Sequence, residues 1–115
     1  MPGEEHTAKI RVARRLAIEY SSDCPPIQAF VGDLSETGMY IDVDQSLPIG
    51  KSVEFSLSLP DDKADAPIEG SAVVIWSAPT GMGVEFTELS DADRERIHFF
   101  VAAVHFGQPP DLPAS

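Results

Sequence analysis

The clearest alternation in this chain is VEFSLSL, residues 53–59, in which apolar and polar side chains follow each other strictly. The apolar positions are Val53, Phe55, Leu57 and Leu59. A period of two indicates a β-strand that buries one face and turns the other to water. We therefore expect this segment to form part of an antiparallel sheet, since antiparallel sheets commonly have one solvated face.

Other segments on both sides of it have strand composition, and turn-forming residues separate them. They are LAIEY (16–20), IQAFVGDL (27–34), MYIDV (39–43), IEGSAVVIW (68–76) and MGVEFTEL (82–89). Residues 35–38, SETG, have the composition of a tight turn, which predicts a hairpin between the second and third strands. Short strands at this spacing favour a small antiparallel barrel or sandwich.

After the last strand the pattern changes to that of a helix over residues 90–106. Ser90 is a suitable N-cap, and carboxylates in the first turn favour the positive end of the helix dipole. The apolar positions at helical spacing are Ile97, Phe100, Val101 and Val104. Gly107 and the prolines after it end the helix. We expect the helix to cover one opening or face of the barrel, and residues 107–115 to form a disordered tail.

A second apolar stripe runs along the same helix. It consists of Phe99, Ala102, Ala103 and Phe106. One core contact does not require so much apolar surface. Core packing on both sides of the helix is one interpretation, and a contact with a partner protein or a second copy of the chain is the other.

The charge of the chain is strongly negative and unevenly placed. A length of 115 residues predicts one domain. The chain has 8 basic and 19 acidic side chains, a net charge of −11, so we expect that it binds neither nucleic-acid polymers nor anionic membranes. Residues 1–15 have four basic and two acidic side chains, a balance of +2, and the other 100 residues have a balance of −13. This basic segment suits either a solvated arm or an element that holds a small anion.

The number of cysteines limits which disulfides and metal sites the chain can form. Cys24 is the single cysteine, which excludes an intramolecular disulfide and a multi-cysteine zinc site. The sequence has no apolar run long enough to span a membrane, and its N-terminus lacks the apolar stretch of a secretory signal. We therefore expect a cytoplasmic protein with no bound metal or cofactor.

Catalytic motifs are missing from the sequence. His6, His98 and His105 do not form an HExxH pattern, and Cys24 lies beside prolines without a local sign of an activated thiolate. No GxSxG, Walker-type or GxGxxG loop is present. The carboxylates are best interpreted as a solvated surface, so we expect that the protein is not an enzyme.

Binding chemistry is concentrated in two short clusters. Arg11 and Arg15 are four residues apart, and an arginine fork can hold phosphate oxygens or the O6/N7 edge of guanine. DLSETG, residues 33–38, contributes Asp33, which could accept from the N1 and N2 donors of guanine, together with Ser35 and Gly38. Asp, Ser and Gly are also ordinary turn formers, so this second cluster alone also fits a purely structural hairpin.

Together the two clusters resemble the motifs of the PilZ domain, a bacterial receptor module for cyclic di-GMP, which has RxxxR followed by [D/N]xSxxG. The segments 16–20, 47–60, 68–76 and 81–86 resemble strands of the family, with Trp76, Gly83 and Phe86 at positions where such domains often have equivalent residues. The resemblance implies a mainly β fold, a six-stranded antiparallel barrel with a C-terminal helix and a flexible N-terminal arm. The implied PilZ domain spans 9–106, divided into a switch segment (9–15), the barrel (16–89) and the helix (90–106), after a flexible N-terminus (1–8).

The resemblance also implies roles for individual residues. In the family, the two arginines hold the guanines and phosphates of cyclic di-GMP, which assigns this role to Arg11 and Arg15. Asp33 and Ser35 would hold a guanine edge, and Gly38 would serve the backbone geometry. Arg14, inside the first motif, is either an additional contact or a solvent-facing charge.

One position departs from the family pattern. Ile10 stands where an additional arginine is common, and an apolar residue there favours one bound nucleotide over a stacked pair. The chain also resembles a single-domain subgroup from myxobacteria and other deltaproteobacteria, many of whose members lack motif residues.

Two functions are consistent with this resemblance. The first is a cyclic di-GMP receptor and adaptor in second-messenger signalling that orders its arginine segment when ligand binds, and that contacts an effector protein through the second helix stripe. The second is a PilZ-like scaffold in motility or polarity machinery that acts without nucleotide.

Overall fold

Six strands and one helix are present in the computed structural model, which describes residues 12–23, 25–60 and 66–106. In chain order they are β1 (Val12–Ser21), β2 (Ile27–Leu34), β3 (Gly38–Asp42), β4 (Ser52–Leu57), β5 (Ile68–Ala78), β6 (Gly81–Glu88) and α1 (Asp91–His105). The predicted set of strands and the C-terminal helix are confirmed. The predicted flexible N-terminus (1–8), Arg11, Cys24 and the predicted tail (107–115) lie outside the described residues.

The strands close into a barrel in the order β1-β2-β3-β6-β5-β4, and every neighbouring pair is antiparallel. Closure leaves no unpaired sheet edge, which a small antiparallel sheet would otherwise expose to other chains. The sequence left a barrel and a sandwich open, and the pairing of β1 with β4 is the contact that makes this fold a barrel.

Inward-pointing side chains of all the strands form one core. The alternation predicted for residues 53–59 is confirmed, because their four apolar side chains are at most 4% exposed. Burying these apolar faces is the main favourable contribution to folding, and about 25 cal/mol is gained per Å² removed from water.

Helix α1 packs with its predicted apolar stripe toward the barrel. The Ser90 hydroxyl accepts a hydrogen bond from the Asp93 amide at 3.0 Å and caps the first turn. Ile97, Phe100 and Val101 are buried, and Val104 packs partly against the same core. The second stripe is exposed at its two aromatic positions, since Phe99 is 61% and Phe106 74% accessible.

Strand β1 begins at Val12, four residues earlier than the sequence pattern indicates. The family resemblance implied that residues 9–15 form a switch segment ahead of the barrel. In the structure Val12 is 5% exposed and pairs with Leu34 across to β2. The barrel therefore includes residues 12–15, and an irregularity in the strand accommodates the two arginines.

Candidate functional site

The side chains of the two arginines of β1 point away from the barrel core at a β-bulge. Ala13 pairs with Asp33 and Leu16 with Val31, so that Arg14 and Arg15 together lie opposite one residue of β2. A bulge of this kind allows two consecutive side chains to point away from the core. Arg14 and Arg15 are both exposed, and Leu16 returns to the interior.

The residue opposite the arginine pair is Gly32, and it creates a second bulge against β3. Val31 pairs with Ile41 and Asp33 with Tyr40, which leaves Gly32 as the extra residue. A strict alternation from buried Val31 would turn Asp33 inward. The bulge instead places Asp33 beside Tyr40, on the outer surface and half-buried.

A third bulge exposes an aromatic side chain of β5. Val74 pairs with Val84 and Trp76 with Gly83, so Ile75 is the extra residue. Val74 is 1% exposed, whereas Trp76 is 51% exposed although it lies two residues further along the strand. The bulge is the reason that Trp76 points outward.

These irregularities bring functional side chains into one row across the outside of the barrel. Ala13, Asp33, Tyr40, Gly83 and Trp76 are successive partners on β1, β2, β3, β6 and β5. Gly83 has no side chain, and the rings of Tyr40 and Trp76 on either side of it lie 5.7 Å apart with an interplanar angle of 45°.

We call this surface the arginine face. Its members are Arg14, Arg15, Phe30, Asp33, Tyr40 and Trp76. The ring of Tyr40 lies against Gly81, where a Cβ atom would overlap the ring. Two cations, one carboxylate and exposed rings on the same surface can bind a ligand that has both negative charge and flat heterocycles.

Arg15 has a defined position on this face. Its guanidinium carbon lies 3.9 Å from the centroid of the Phe30 ring. Phe30 is 41% exposed, so the pair lies at the surface of the barrel. A cation above an aromatic face is attracted by the quadrupole of the ring, which holds the side chain without using the N–H groups of the guanidinium.

The turn between β2 and β3 is organised by Ser35. Its hydroxyl accepts from the amides of Gly38 at 3.2 Å and Thr37 at 3.3 Å, and the Ser35 amide donates to the Gly38 carbonyl at 2.9 Å. Ser35 is completely buried. These bonds give the serine of the second motif a structural role, and the contact with ligand that the sequence assigned to it stays a prediction.

Gly38 is required by close packing between strands. A Cβ atom at this position would overlap the carbonyl oxygen of Val84 on β6. Among the described glycines only Gly50 has a positive φ, so Gly38 is not needed for a left-handed backbone. The predicted role of Gly38 in the backbone geometry therefore has a specific cause: β3 and β6 approach each other closely at this residue.

Helix α1 is connected directly to this turn. Nδ1 of His98 donates to Oε2 of Glu36 at 2.7 Å, and both side chains are about half-exposed. Glu36 lies between the motif residues Ser35 and Gly38 in sequence. The turn of the second motif is therefore in contact with the element that carries the exposed stripe.

The structure brings together part of the site that the sequence predicted. Arg14, Arg15 and Asp33 share the arginine face, whereas Ser35 and Gly38 build the adjoining turn. Sequence reasoning missed Phe30 and Tyr40. Their outward positions in alternating strands were the signal available, because each is flanked by residues that point into the core.

Residues 12–23, 25–60 and 66–106 include no group of three or more His, Cys, Asp or Glu side chains that could hold a metal ion. No helix in these ranges is long and apolar enough to cross a membrane.

Comparison with known families assigns the fold. The family model of the PilZ domain matches residues 6–103. The chain belongs to the PilZ domain family. PilZ domains are binding and adaptor modules, and the family is one of cyclic di-GMP receptors. The resemblance derived from the sequence motifs is thereby confirmed.

Solved structures agree with the family assignment. This PilZ domain is similar to the Bacillus subtilis inhibitor of motility MotI/DgrA, with a TM-score of 0.74 and 18% identity over 85% of this chain. The match covers 50% of MotI/DgrA, so the chain spans half of the length of that protein. It is also similar to the PilZ domain of CeSA from a cellulose-synthesizing bacterium, with a TM-score of 0.59 and 16% identity, over 84% of this chain and 95% of that one. A search of curated proteins found no match.

Proposed function

We propose that this PilZ domain binds cyclic di-GMP on the arginine face and passes the signal to a partner protein through protein contacts, without catalysing a reaction. The observation that supports this best is the bulge of β1, which presents Arg14 and Arg15 opposite Gly32 and next to Asp33. Bulges are over-represented beside functional sites because they re-aim side chains.

Charge complementarity supports the same surface. Cyclic di-GMP has two phosphodiester groups that remain ionised at physiological pH, and most of a chain with net charge −11 repels it. The segment 9–15 has half of the basic side chains. The proposed ligand therefore lies where this segment enters the barrel, with Arg11 and Arg15 on the phosphates and guanines.

Shape and hydrogen-bonding capacity extend the proposal to the bases. Asp33 is the acceptor proposed for the N1 and N2 donors of guanine. The exposed ring of Trp76 is in the same cross-strand row, where a flat base can stack. Gly83 adds no side chain between Tyr40 and Trp76, whose rings approach each other to 5.7 Å.

We propose that binding orders the part of the N-terminal arginine segment that precedes β1, including Arg11, against this face. The segment is continuous with β1, so contacts of Arg11 with ligand would be transmitted directly to the start of the barrel. The hydrogen bond from His98 to Glu36 connects the adjoining turn to α1, which makes the exposed stripe of that helix the proposed contact with the effector.

Calorimetric titration of the purified chain with cyclic di-GMP at near-physiological salt tests the proposal. We expect micromolar or tighter binding that is lost in the double variant Arg11→Ala/Arg15→Ala. The matched control is Lys63→Ala/Arg94→Ala, which removes the same charge from elsewhere in the chain. Equal loss of affinity in both double variants would show that net charge, rather than the arginine face, governs binding.

The second candidate is a scaffold that acts without nucleotide. The exposure of Phe99 and Phe106 favours it, because large apolar side chains on a small domain mark contact surfaces. This alternative predicts no heat with cyclic di-GMP at two temperatures, together with a protein partner whose binding is lost in Phe99→Ser/Phe106→Ser.

A further inference from the structure

Phe30 has the most exposed ring among the phenylalanines of the six strands. Phe55 and Phe100 are at most 4% exposed and belong to the core, whereas Phe30 is 41% exposed. Its neighbours in the sheet are Ala17 on β1 and Asp42 on β3. A ring at this position contributes little to the core, so its contact with Arg15 is the feature to explain.

The geometry of that contact determines what Arg15 can do. The guanidinium carbon is 3.9 Å from the ring centroid, so the ring covers one side of the cation. The N–H donors lie in the guanidinium plane and remain available to oxygen atoms of a ligand. The opposite side of the guanidinium can stack on a purine.

The contact also reduces the freedom of a long side chain. A free arginine loses rotamer freedom when it binds, and this loss weakens affinity. Arg15 is held above the ring before ligand arrives. Arg15 is therefore preorganised for binding.

We infer that Phe30 is a positioning residue for the arginine face: its ring holds the Arg15 guanidinium so that its N–H edge and its free side meet the phosphodiester and a purine of the ligand. This inference rests on the proposed function. Phe30 belongs to neither the arginine motif nor the turn motif, so this role is additional to those of the motif residues.

The test compares Phe30→Leu with Phe30→Tyr in calorimetric titrations with cyclic di-GMP. Leucine keeps apolar bulk and loses the ring, so affinity should fall about fivefold. Tyrosine keeps the ring and should bind within about twofold of wild type. Ile27→Ala, which removes an exposed apolar side chain from the same strand, is the matched control and should leave affinity unchanged.

A double-mutant cycle separates positioning from a general structural effect. In the Arg15→Ala background, Phe30→Leu should change affinity by less than about twofold, because the partner it positions is gone. A full fivefold loss in that background would show that Phe30 acts on the ligand or on the fold, and would overturn the inference.

The geometry has a readout that requires no ligand. In the free protein, the Nε–H proton of Arg15 should have an NMR resonance shifted upfield by the ring current of Phe30, and Phe30→Leu should remove the shift. If wild type binds cyclic di-GMP and Phe30→Leu binds equally well, only the positioning role is wrong. If wild type does not bind, the proposed function is wrong and the role for this ligand fails with it.

Discussion

Two outer surfaces of the same barrel differ in regularity as well as in charge. The arginine face lies over three of the four irregularities in the described strands, on β1, β2 and β5, and the fourth lies between Ser71 and Ala72 on the β5–β6 ladder. On the other side, the ladders that join β4 to β1 and to β5 are unbroken. We call that second surface the acidic face. Its carboxylates are Glu19, Glu54 and Glu69.

The acidic face shows how regular strands arrange like charges. Ser56 is the direct partner of both Glu19 and Glu69, and Glu54 lies opposite serines on both neighbouring strands. Carboxylates directly opposite one another would repel, and this pattern avoids it. The ladders of β4 thus keep exposed carboxylates apart on a regular surface, whereas the bulged surface exposes side chains suited to recognition.

The largest effect we expect is on stability, and it should be similar for both halves of the barrel. A Cβ atom at Gly38 would overlap the carbonyl oxygen of Val84, and one at Gly70 would overlap that of Glu88. Gly38→Ala and Gly70→Ala should each lower the free energy of unfolding by about 3 kcal/mol, measured by urea denaturation. A much larger loss for one of them would show that the two halves contribute unequally to the fold.

The next largest effect that we expect is on the affinity for cyclic di-GMP, which should depend on the arginine face. Arg15→Ala should weaken cyclic di-GMP binding by about 1.5 to 3 kcal/mol in calorimetry, because a charge-assisted contact is lost. Arg94→Ala on α1 removes the same charge elsewhere and is the control. Unchanged affinity in Arg15→Ala would contradict the role assigned to the arginine face.

A smaller effect concerns the choice of base. Asp33→Ala should reduce the preference for cyclic di-GMP over cyclic di-AMP by about 1 to 2 kcal/mol, since the acceptor for guanine donors is removed. Glu54→Ala, from the acidic face, should leave both affinities within about twofold of wild type because solvent and salt screen its charge. Equal losses for both dinucleotides in Asp33→Ala would count against base recognition.

The smallest effect lies at the end of the acidic face. Nζ of Lys51 donates to Oδ2 of Asp23 at 2.6 Å, and this hydrogen bond, with the charge of the ammonium, lowers the pKa of Asp23 below its ordinary value. A depressed pKa adds stability that is present above the ordinary value and is lost as pH falls through the lowered one. The difference in unfolding free energy between wild type and Asp23→Asn should therefore be small and should disappear in strong acid. A difference that grows as the pH falls would show that another group is responsible.

The unbroken strands could be predicted from the sequence more accurately than the bulged strands. The alternation in residues 53–59 predicted the buried face of β4, because an unbroken strand keeps its period of two. The start of β1 was predicted at Leu16 and lies at Val12, because the bulge at Arg14 and Arg15 hides the alternation. A bulge depends on the register of a neighbouring strand, which local patterns do not report.

The candidate site shows this limit residue by residue. The motifs identified Arg15 and Asp33, and the pairing of β1 with β2 places both on one surface. Ser35 carried the same motif signal, but its hydroxyl is enclosed in the turn by bonds to Thr37 and Gly38. A sequence motif records which residues occur together, and it does not distinguish a side chain that faces a ligand from one that builds the loop.

The local elements are predictable from the sequence alone: the set of strands, the capped helix with its buried stripe, and the concentration of basic charge in residues 9–15. These follow from periodicity and composition, which act between residues near one another in the chain. Tertiary structure decided the closure of β1 on β4, the cross-strand row from Ala13 to Trp76, and the contact of Arg15 with Phe30. Each of these joins residues on different strands, and only the registers of the closed barrel determine which of them meet.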